Sequence, residues 1–395
     1  MVVIVDGSPL TIADVAAVAH RRAEVEVGSD LAQRMAPARD LVETIITNNE
    51  VAYGITTGFG ALSSTRIPAA QAAELQYDLV RSHASGVGEL LKPPTVRAML
   101  LLRARTLAQG HSGVRPIIVE RLVEFLKRDL LPAVPDRGSV GASGDLAPFA
   151  HLALPLIGEG FFLLDGSRVA AAGVLKAEGL DPIELEPKEG LSLLNGTEGM
   201  LAQGCLAVER ARLLADAADA ACALSVEALM GSSRPFEARV HQLRPHPGQI
   251  RSAQVIAELL KGSPIGASHK DDFSHRVQDA YSLRCAPQVH GSVRDTIDHA
   301  AAVFERELGS VVDNPIVFAD DGDVISAGNF HGQPLAFALD FLAIAMTELG
   351  SISERRTDRI LDPERSYGLS PFLATRPGVD SGYMLAQYTA CLLYT

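Results

Sequence analysis

Residues 201–230, LAQGCLAVERARLLADAADAACALSVEALM, form a run without proline in which Ala and Leu dominate and charged residues recur. Ala and Leu favour helix, and Gly231 directly after the run is a typical stop signal. A helix of this length is longer than a small globule needs and is typical of a bundle of long helices. The run therefore predicts a mainly α fold.

The sequence on either side of this run differs in character. Upstream it alternates short helices with Gly-rich loops, and downstream it contains further long helical stretches, so we expect an N-terminal domain over residues 1–200 and a central long-helix bundle over 201–395. Capping, periodicity and turn residues predict a strand over 2–5, helices over 11–19 (Thr11 and Asp14 have capping-box spacing), 69–80, 288–308 and 335–359, and hairpins at Asp165-Gly166 and within 316–326.

Composition excludes several classes of function. The net charge of -13 disfavours binding to nucleic acid or to an anionic membrane. The N-terminus lacks the pattern of a signal peptide, and no stretch of about 20 residues is free of charge, so no membrane span is predicted. The four cysteines are widely spaced, which predicts neither a disulfide framework nor a zinc site. These features favour a cytoplasmic protein without a metal site.

The small-residue segment 138–151, GSVGASGDLAPFAH, contains the tripeptide Ala142-Ser143-Gly144. Because Gly144 has no side chain, its backbone nitrogen can approach the carbonyl of Ala142. Attack there would close a five-membered ring, and loss of water from Ser143 would leave an exocyclic methylidene. The product, 4-methylidene-imidazol-5-one, would be an electrophile made without a metal or diffusible cofactor. Asp145 is placed to cap the next helix, which would put the ring near a positive helix end. For the tripeptide alone, a flexible loop is the alternative.

The longer string resembles the signature of the histidine, phenylalanine and tyrosine ammonia-lyases and the related aminomutases. The resemblance extends over nearly the whole chain and implies the long-helix bundle of the aspartase/fumarase-like type, with a smaller Gly-rich N-terminal domain and short hairpins. The other matching segments are AYGITTGFG at 52–60, LNGT at 194–197, QDAYSLRCAPQ at 278–288, Asn314-Pro315 and GNFHG at 328–332.

The resemblance also implies roles for single residues. It implies that Tyr53 removes the β-proton of the substrate and that Asn195 hydrogen-bonds the ring and the amine region. It places Tyr281 and Phe330 beside the electrophile. From the residues themselves, Gln278, Tyr281 and Arg284 have a spacing that groups them on one side of a helix, and Arg284 offers a planar fork for a carboxylate. The ordinary alternatives are a packing Tyr in a turn, a capping Asn and a surface Arg in a salt bridge.

The dipeptide Ser82-His83 carries the expectation about the substrate. By the resemblance it faces the substrate side chain, and Ser-His is similar to the histidine-preferring members. An imidazole at His83 can hydrogen-bond a substrate imidazole, whereas a phenylalanine substrate would leave it unpaired. The expected reaction is the non-oxidative deamination of L-histidine to trans-urocanate. A tyrosine or phenylalanine lyase or aminomutase is the alternative.

The resemblance implies a homotetramer whose active sites combine several subunits. It also implies that the C-terminal part of the family's bundle is missing, with a Glu that contacts the amine or imidazole. An inactive, shortened helical-bundle protein is therefore a further alternative. A fumarase-type enzyme is another, but GSSRPF at 231–236 only partly matches that group's loop.

Overall fold

The computed structural model describes residues 1–58, 60, 65–68, 71–139, 142–269 and 277–394. Helices predominate, so the predicted mainly α fold is confirmed. The helices are α1 (Ile12–Ala19), α2 (Leu31–Thr47), α3 (Ala72–His83), α4 (Pro93–Ala108), α5 (Pro116–Lys127), α6 (Leu146–Ala153), α7 (Ala171–Glu178), α8 (Glu189–Leu194), α9 (Glu198–Ala228), α10 (Ala238–Gln242), α11 (Pro247–Leu259), α12 (Pro264–Ser268), α13 (Tyr281–Arg284), α14 (Ala286–Glu307), α15 (Gln333–Leu361) and α16 (Met384–Tyr394).

The strands are short and form small sheets. β1 and β2 pair in parallel, β3 pairs with β5, β6 lies between β4 and β7, and β8 pairs with β9. Both predicted hairpins are present as the antiparallel pairs β6–β7 and β8–β9. The bounds are β1 (Val2–Val5), β2 (Glu24–Val27), β3 (Val87–Leu90), β4 (Leu131–Pro132), β5 (Pro135–Arg137), β6 (Phe161–Leu164), β7 (Ser167–Ala170), β8 (Ile316–Phe318) and β9 (Asp323–Ile325).

The chain forms two compact units, Met1–Ala207 with Val303–Ala336, and Val208–Ala302 with Phe337–Thr395. The expected division into 1–200 and 201–395 stays a prediction. In the first unit α4 is buried along almost its whole length, from Val96 to Ala108, and α1 and α5 pack against it.

The second unit has its own apolar core. Side chains of α9, α11 and α13 meet there, together with Phe236, which is almost fully buried. Helix α15 contributes Ile360 at the edge of this core. Among the described residues α15 is the one helix long and apolar enough to cross a membrane by length and composition, and one third of its apolar window is buried. A single helix of this kind is weak evidence, because core helices of globular proteins meet the same criterion.

Candidate active site

A two-stranded ladder joins the loop after α3 to the segment that leads into Ala142-Ser143-Gly144. Val87 pairs with Arg137, and Leu90 pairs with Pro135. The backbone N–H of Gly86 donates to Nε2 of His151 at 3.0 Å. His151 lies in α6, directly after the tripeptide, and burial lowers its pKa, which favours the neutral ring needed to accept this bond. Two independent attachments therefore hold the His83 loop beside the tripeptide.

The tripeptide forms a tight turn directly before α6. Ala142 is exposed, whereas Ser143 is only 2% exposed and Gly144 is buried. Gly144 has φ +77°, a conformation that disfavours any residue with a side chain, and a Cβ there would lie 2.8 Å from Sδ of Met200. Among the described residues the hydroxyl of Ser143 has no hydrogen-bond partner. An unpaired buried hydroxyl costs about 1–3 kcal/mol, so this turn holds a polar group that its surroundings do not stabilise.

A second backbone segment closes over this turn. The N–H of Gly332 donates to the carbonyl oxygen of Ala142 at 2.8 Å. Gly332 is itself buried and precedes α15, whose first turn it caps by accepting from the N–H of Ala336 at 3.0 Å. A Cβ on Gly332 would lie 3.2 Å from the carbonyl oxygen of Ser143. The family resemblance includes the segment 328–332, but the sequence analysis predicted no role for Gly332.

The prediction that the Asp145 side chain caps the next helix is wrong. Asp145 occupies the position before α6, but its side chain does not cap that helix. Instead Oδ2 accepts from the N–H groups of Gly199 at 2.7 Å and Met200 at 3.0 Å, in the first turn of α9. The unpaired N–H groups at the start of this long helix are the stronger attraction for the carboxyl group. Because Asp145 is fully buried, desolvation raises its pKa to about 7.

Asn195 follows α8 and is almost completely buried. Its Nδ2 donates to the carbonyl oxygen of Asn314 at 3.1 Å. The buried guanidinium of Arg103 donates to the backbone carbonyl of Asn195 at 3.2 Å and forms an ion pair with Glu198. Oδ1 of Asn314 in turn accepts from the N–H of Ala327 at 2.9 Å. The Asn195 side-chain amide is thus held by Asn314 and its backbone carbonyl by Arg103, an arrangement the sequence did not predict.

Tyr53 lies in a turn that hydroxyl groups of two threonines stabilise. Thr56 donates to the carbonyl of Glu50 at 2.7 Å, and Thr57 accepts from the N–H of Gly54 at 3.2 Å. Tyr53 is partly exposed, and its hydroxyl accepts a long contact of 3.4 Å from the N–H of Gly60. Phe59 of the matched segment lies outside the described residues. The role of Tyr53 stays a prediction.

His83 is the last residue of α3, so this helix ends three residues later than predicted. Its Nδ1 lies 2.9 Å from the carbonyl oxygen of Leu79. Since a carbonyl oxygen only accepts, this network assigns the proton of a neutral ring to Nδ1 and leaves Nε2 as an acceptor. His83 is partly exposed.

Phe330 and His331 occupy a turn that is closed by a bond from the N–H of His331 to the carbonyl of Gly328 at 2.9 Å. Phe330 is partly buried and two residues from Gly332. His331 is exposed and accepts from the N–H of Gln333 at Nδ1, as a structural histidine would.

Three further predicted site residues lie in the second unit. The guanidinium of Arg284 lies 4.5 Å from the ring centre of Tyr281, and Nε donates to the carbonyl of Asp279 at 3.0 Å. Tyr281 is 72% exposed. Arg284 is partly exposed, and no carboxylate among the described residues forms an ion pair with it.

The predicted helix face shared by Gln278, Tyr281 and Arg284 is wrong. Helix α13 begins only at Tyr281, because Ala280 is extended with ψ 154°. Oδ2 of Asp279 accepts from the N–H of Ser232 at 2.8 Å, which anchors the chain before the helix starts. Gln278 therefore precedes the helix and is exposed.

The turn fits the ring chemistry by two observations. The Ser143 hydroxyl, which dehydration would remove, is buried and has no partner among the described residues, and the positive φ at position 144 strongly favours a residue without Cβ. For comparison, no group of three or more His, Cys, Asp or Glu able to hold a metal occurs within the described ranges.

Comparison with known proteins agrees with this geometry. Residues 10–395 match the family model of the aromatic amino acid lyases. The chain is 50% identical to a histidine ammonia-lyase of Koribacter versatilis over 98% of this chain and 77% of that protein. The solved structure of a tyrosine aminomutase from Streptomyces globisporus matches with a TM-score of 0.93 at 42% identity. This match covers 100% of the present chain and 78% of that chain. The solved structure of a histidine ammonia-lyase from Trypanosoma cruzi matches with a TM-score of 0.87 at 40% identity. This match covers 100% of the present chain and 73% of that chain. The chain belongs to the aromatic amino acid lyase family.

Proposed function

We propose that this protein deaminates L-histidine to trans-urocanate and ammonia without oxidation. The observation that carries the proposal is the turn at residues 142–144, where a buried serine hydroxyl lacks a partner among the described residues and the backbone of the next residue favours glycine. The close likeness to histidine ammonia-lyases supports the choice of substrate.

The residues of the turn would form 4-methylidene-imidazol-5-one from Ala142, Ser143 and Gly144. When formed, this group supplies an electrophilic carbon that takes up the substrate amine and makes it a leaving group. It requires no metal and no diffusible cofactor. Asn195, fixed by Asn314 and Arg103, would direct its amide toward the amine region.

Two other side chains would act on the substrate. Tyr53 would accept the β-proton, which requires a phenol oxygen that is reachable, as its partial exposure allows. Arg284 would hold the carboxylate through its two Nη atoms, since Nε is already used by Asp279. Tyr281, stacked on Arg284, would keep the guanidinium plane in place. Gln278 and Phe330 remain proposed contacts of the substrate.

His83 gives the physical reason for histidine as the substrate. Its bond to Leu79 leaves Nε2 as an acceptor, and the imidazole of histidine offers an N–H donor. A phenylalanine side chain has no donor, so binding it would leave Nε2 desolvated and unpaired, which costs about 1–3 kcal/mol.

The test is incubation of the purified protein with L-histidine, L-tyrosine and L-phenylalanine in separate reactions. Ultraviolet absorbance would detect the unsaturated acid, and an independent assay would detect ammonia. Equal amounts of urocanate and ammonia from histidine are expected. Absence of both products from every amino acid would contradict the proposal.

The likeness to a tyrosine aminomutase supports a second candidate. An aminomutase returns the amine to the β-carbon and so makes a β-amino acid. Chromatography of the same reactions would distinguish the two, because β-tyrosine without free ammonia would favour the aminomutase.

We also infer a cytoplasmic homotetramer. The observation that supports self-association is apolar surface exposed on three helices of the second unit, more than isolated surface residues explain. Native mass measurement tests the assembly. The exposed residues are Leu213, Leu214 and Leu224 on α9, Phe337, Phe341 and Ile344 on α15, and Leu385, Tyr388 and Leu392 on α16.

A further inference from the structure

We propose that the backbone N–H of Gly332 activates the Ala142 carbonyl for ring closure and stabilises the oxyanion that forms there. This inference rests on the proposed function, because it concerns how the electrophile of that function is made. It gives a chemical role to a residue that lies 190 positions away from Ala142 in the sequence.

The geometry that supports this role is a single short bond. The N–H of Gly332 donates to the Ala142 oxygen at 2.8 Å, well within ordinary hydrogen-bond length. Gly332 is buried, so water competes little for this donor, and a bond to a developing charge is stronger in such surroundings. The donor also sits at the N-terminus of the 29-residue helix α15, whose dipole favours negative charge at that end.

Ring closure places negative charge on this oxygen, so a donor here assists the first step. The Gly144 nitrogen bonds to the carbonyl carbon of Ala142, and the π electrons of that carbonyl move onto its oxygen. The proton from the Gly144 nitrogen and the proton from the Ser143 nitrogen leave with this oxygen as water, which gives a C=N double bond. Ser143 then loses its α-proton and its hydroxyl as a second water. No oxidant or reductant is involved.

The unpaired Ser143 hydroxyl agrees with this sequence of events. The turn provides a donor for the oxygen on which charge builds up, and no partner within the described residues for the hydroxyl that departs. Close packing contributes as well, because Sδ of Met200 lies within 3 Å of the Cβ positions of both Gly144 and Gly332. The two glycines therefore allow the two backbone segments to approach each other.

The test compares variants that keep or remove the donor. In a Met200→Ala background, which relieves the close contact with Sδ, Gly332→Ala adds a Cβ but keeps the N–H, whereas Gly332→Pro removes it. Ring formation is followed after pulsed cell-free synthesis by the mass of tryptic peptide 138–168, which falls by about 36 Da when two waters are lost. We expect Gly332→Pro to form the ring about 100-fold more slowly than Gly332→Ala, the loss typical of removing one oxyanion donor.

A second variant covers the case in which proline disturbs the fold or both substitutions slow the reaction. Replacing Gly332 by glycolic acid, through a chemically acylated suppressor tRNA in the otherwise unaltered chain, exchanges the N–H for an oxygen without adding bulk. Slow ring formation in this ester supports the proposal, and ring formation at the wild-type rate overturns it. If the wild-type peptide keeps its full mass, the proposed function fails together with this inference. If the wild-type peptide loses two waters and the ester variant loses them at the same rate, the proposed function stands and only the role of Gly332 is refuted.

Discussion

The turn at residues 142–144 and the helix Tyr281–Arg284 are opposite kinds of site. In the turn Ser143 and Gly144 are buried, and the turn is held by one backbone bond from Gly332 and by close packing of Met200. The α13 helix presents an exposed Tyr281 and an Arg284 whose Nη atoms have no carboxylate partner in the described part of the chain. The buried region suits chemistry on the protein's own backbone, and the exposed one suits capture of a ligand. The two should therefore respond differently to mutation.

The largest effect is expected from Ser143→Ala. Without the hydroxyl no second water can leave, so the electrophile cannot form, and deamination should fall roughly a thousand-fold or more. Loss of a buried hydroxyl that has no partner among the described residues should leave the fold intact. Product formation and circular dichroism would be measured together, with Ser85→Ala, an exposed serine in the neighbouring loop, as control. Turnover close to wild type would rule out the ring as the catalyst.

Arg284→Ala should act mainly on binding. Loss of a charge-assisted pair with the substrate carboxylate costs about 1.5–3 kcal/mol, which corresponds to a KM increase of about 10- to 100-fold. Arg284→Lys keeps the charge but loses the two-pronged geometry, so an intermediate KM is expected. Steady-state kinetics with histidine would measure this. An unchanged KM in the alanine variant would remove Arg284 from the carboxylate site.

His83→Leu should change which amino acid is preferred. The acceptor at Nε2 disappears, so kcat/KM for histidine should fall about tenfold or more while that for phenylalanine falls less. The matched control is His83→Gln, which can still offer an acceptor and should keep part of the preference. Competition between the two amino acids measures the ratio. If leucine leaves histidine equally preferred, the selectivity lies elsewhere.

Asp145→Asn is expected to change the pH dependence of stability rather than the handling of substrate. Desolvation raises the pKa of Asp145 to about 7 in the folded protein, from an ordinary value of 3.8. Between these values the unfolded chain is ionised while the folded chain keeps its proton, so stability falls as pH rises through this window. The stability of the variant relative to wild type should therefore increase as pH rises from 4 to about 7, and this difference should stay constant above pH 7. Thermal unfolding at several pH values measures the difference, and a gain for wild type over the same range would contradict it.

Local rules predicted much of the secondary structure. The capping box at Thr11 and Asp14 is present, with the Thr11 side chain accepting at 3.1 Å, because it depends only on residues three apart. The long helix α9 and the hairpin at Asp165-Gly166 follow from composition and turn residues in the same way. These features need no knowledge of the remaining chain.

The predictions that failed depend on distant partners. Asp145 bonds to Gly199 and Met200, which lie 54 and 55 residues away, so no local pattern could show that it would leave its own helix uncapped. The start of α13 is set by a bond between Asp279 and Ser232. The bond from Gly332 to Ala142 spans still more of the chain. Motif resemblance indicated which segments matter but not which backbone groups meet.

The bond between Gly86 and His151, with the β3–β5 ladder next to it, bears on redesign of this protein. Exchanging the side chain at position 83 leaves both attachments intact, so new substrates can be sought there at low risk. Lengthening the stretch between α3 and β3 is different, because it would move the Gly86 N–H relative to His151 of α6, the helix that directly follows the three residues that must cyclise. Libraries aimed at altered selectivity should therefore vary side chains and keep the loop length fixed.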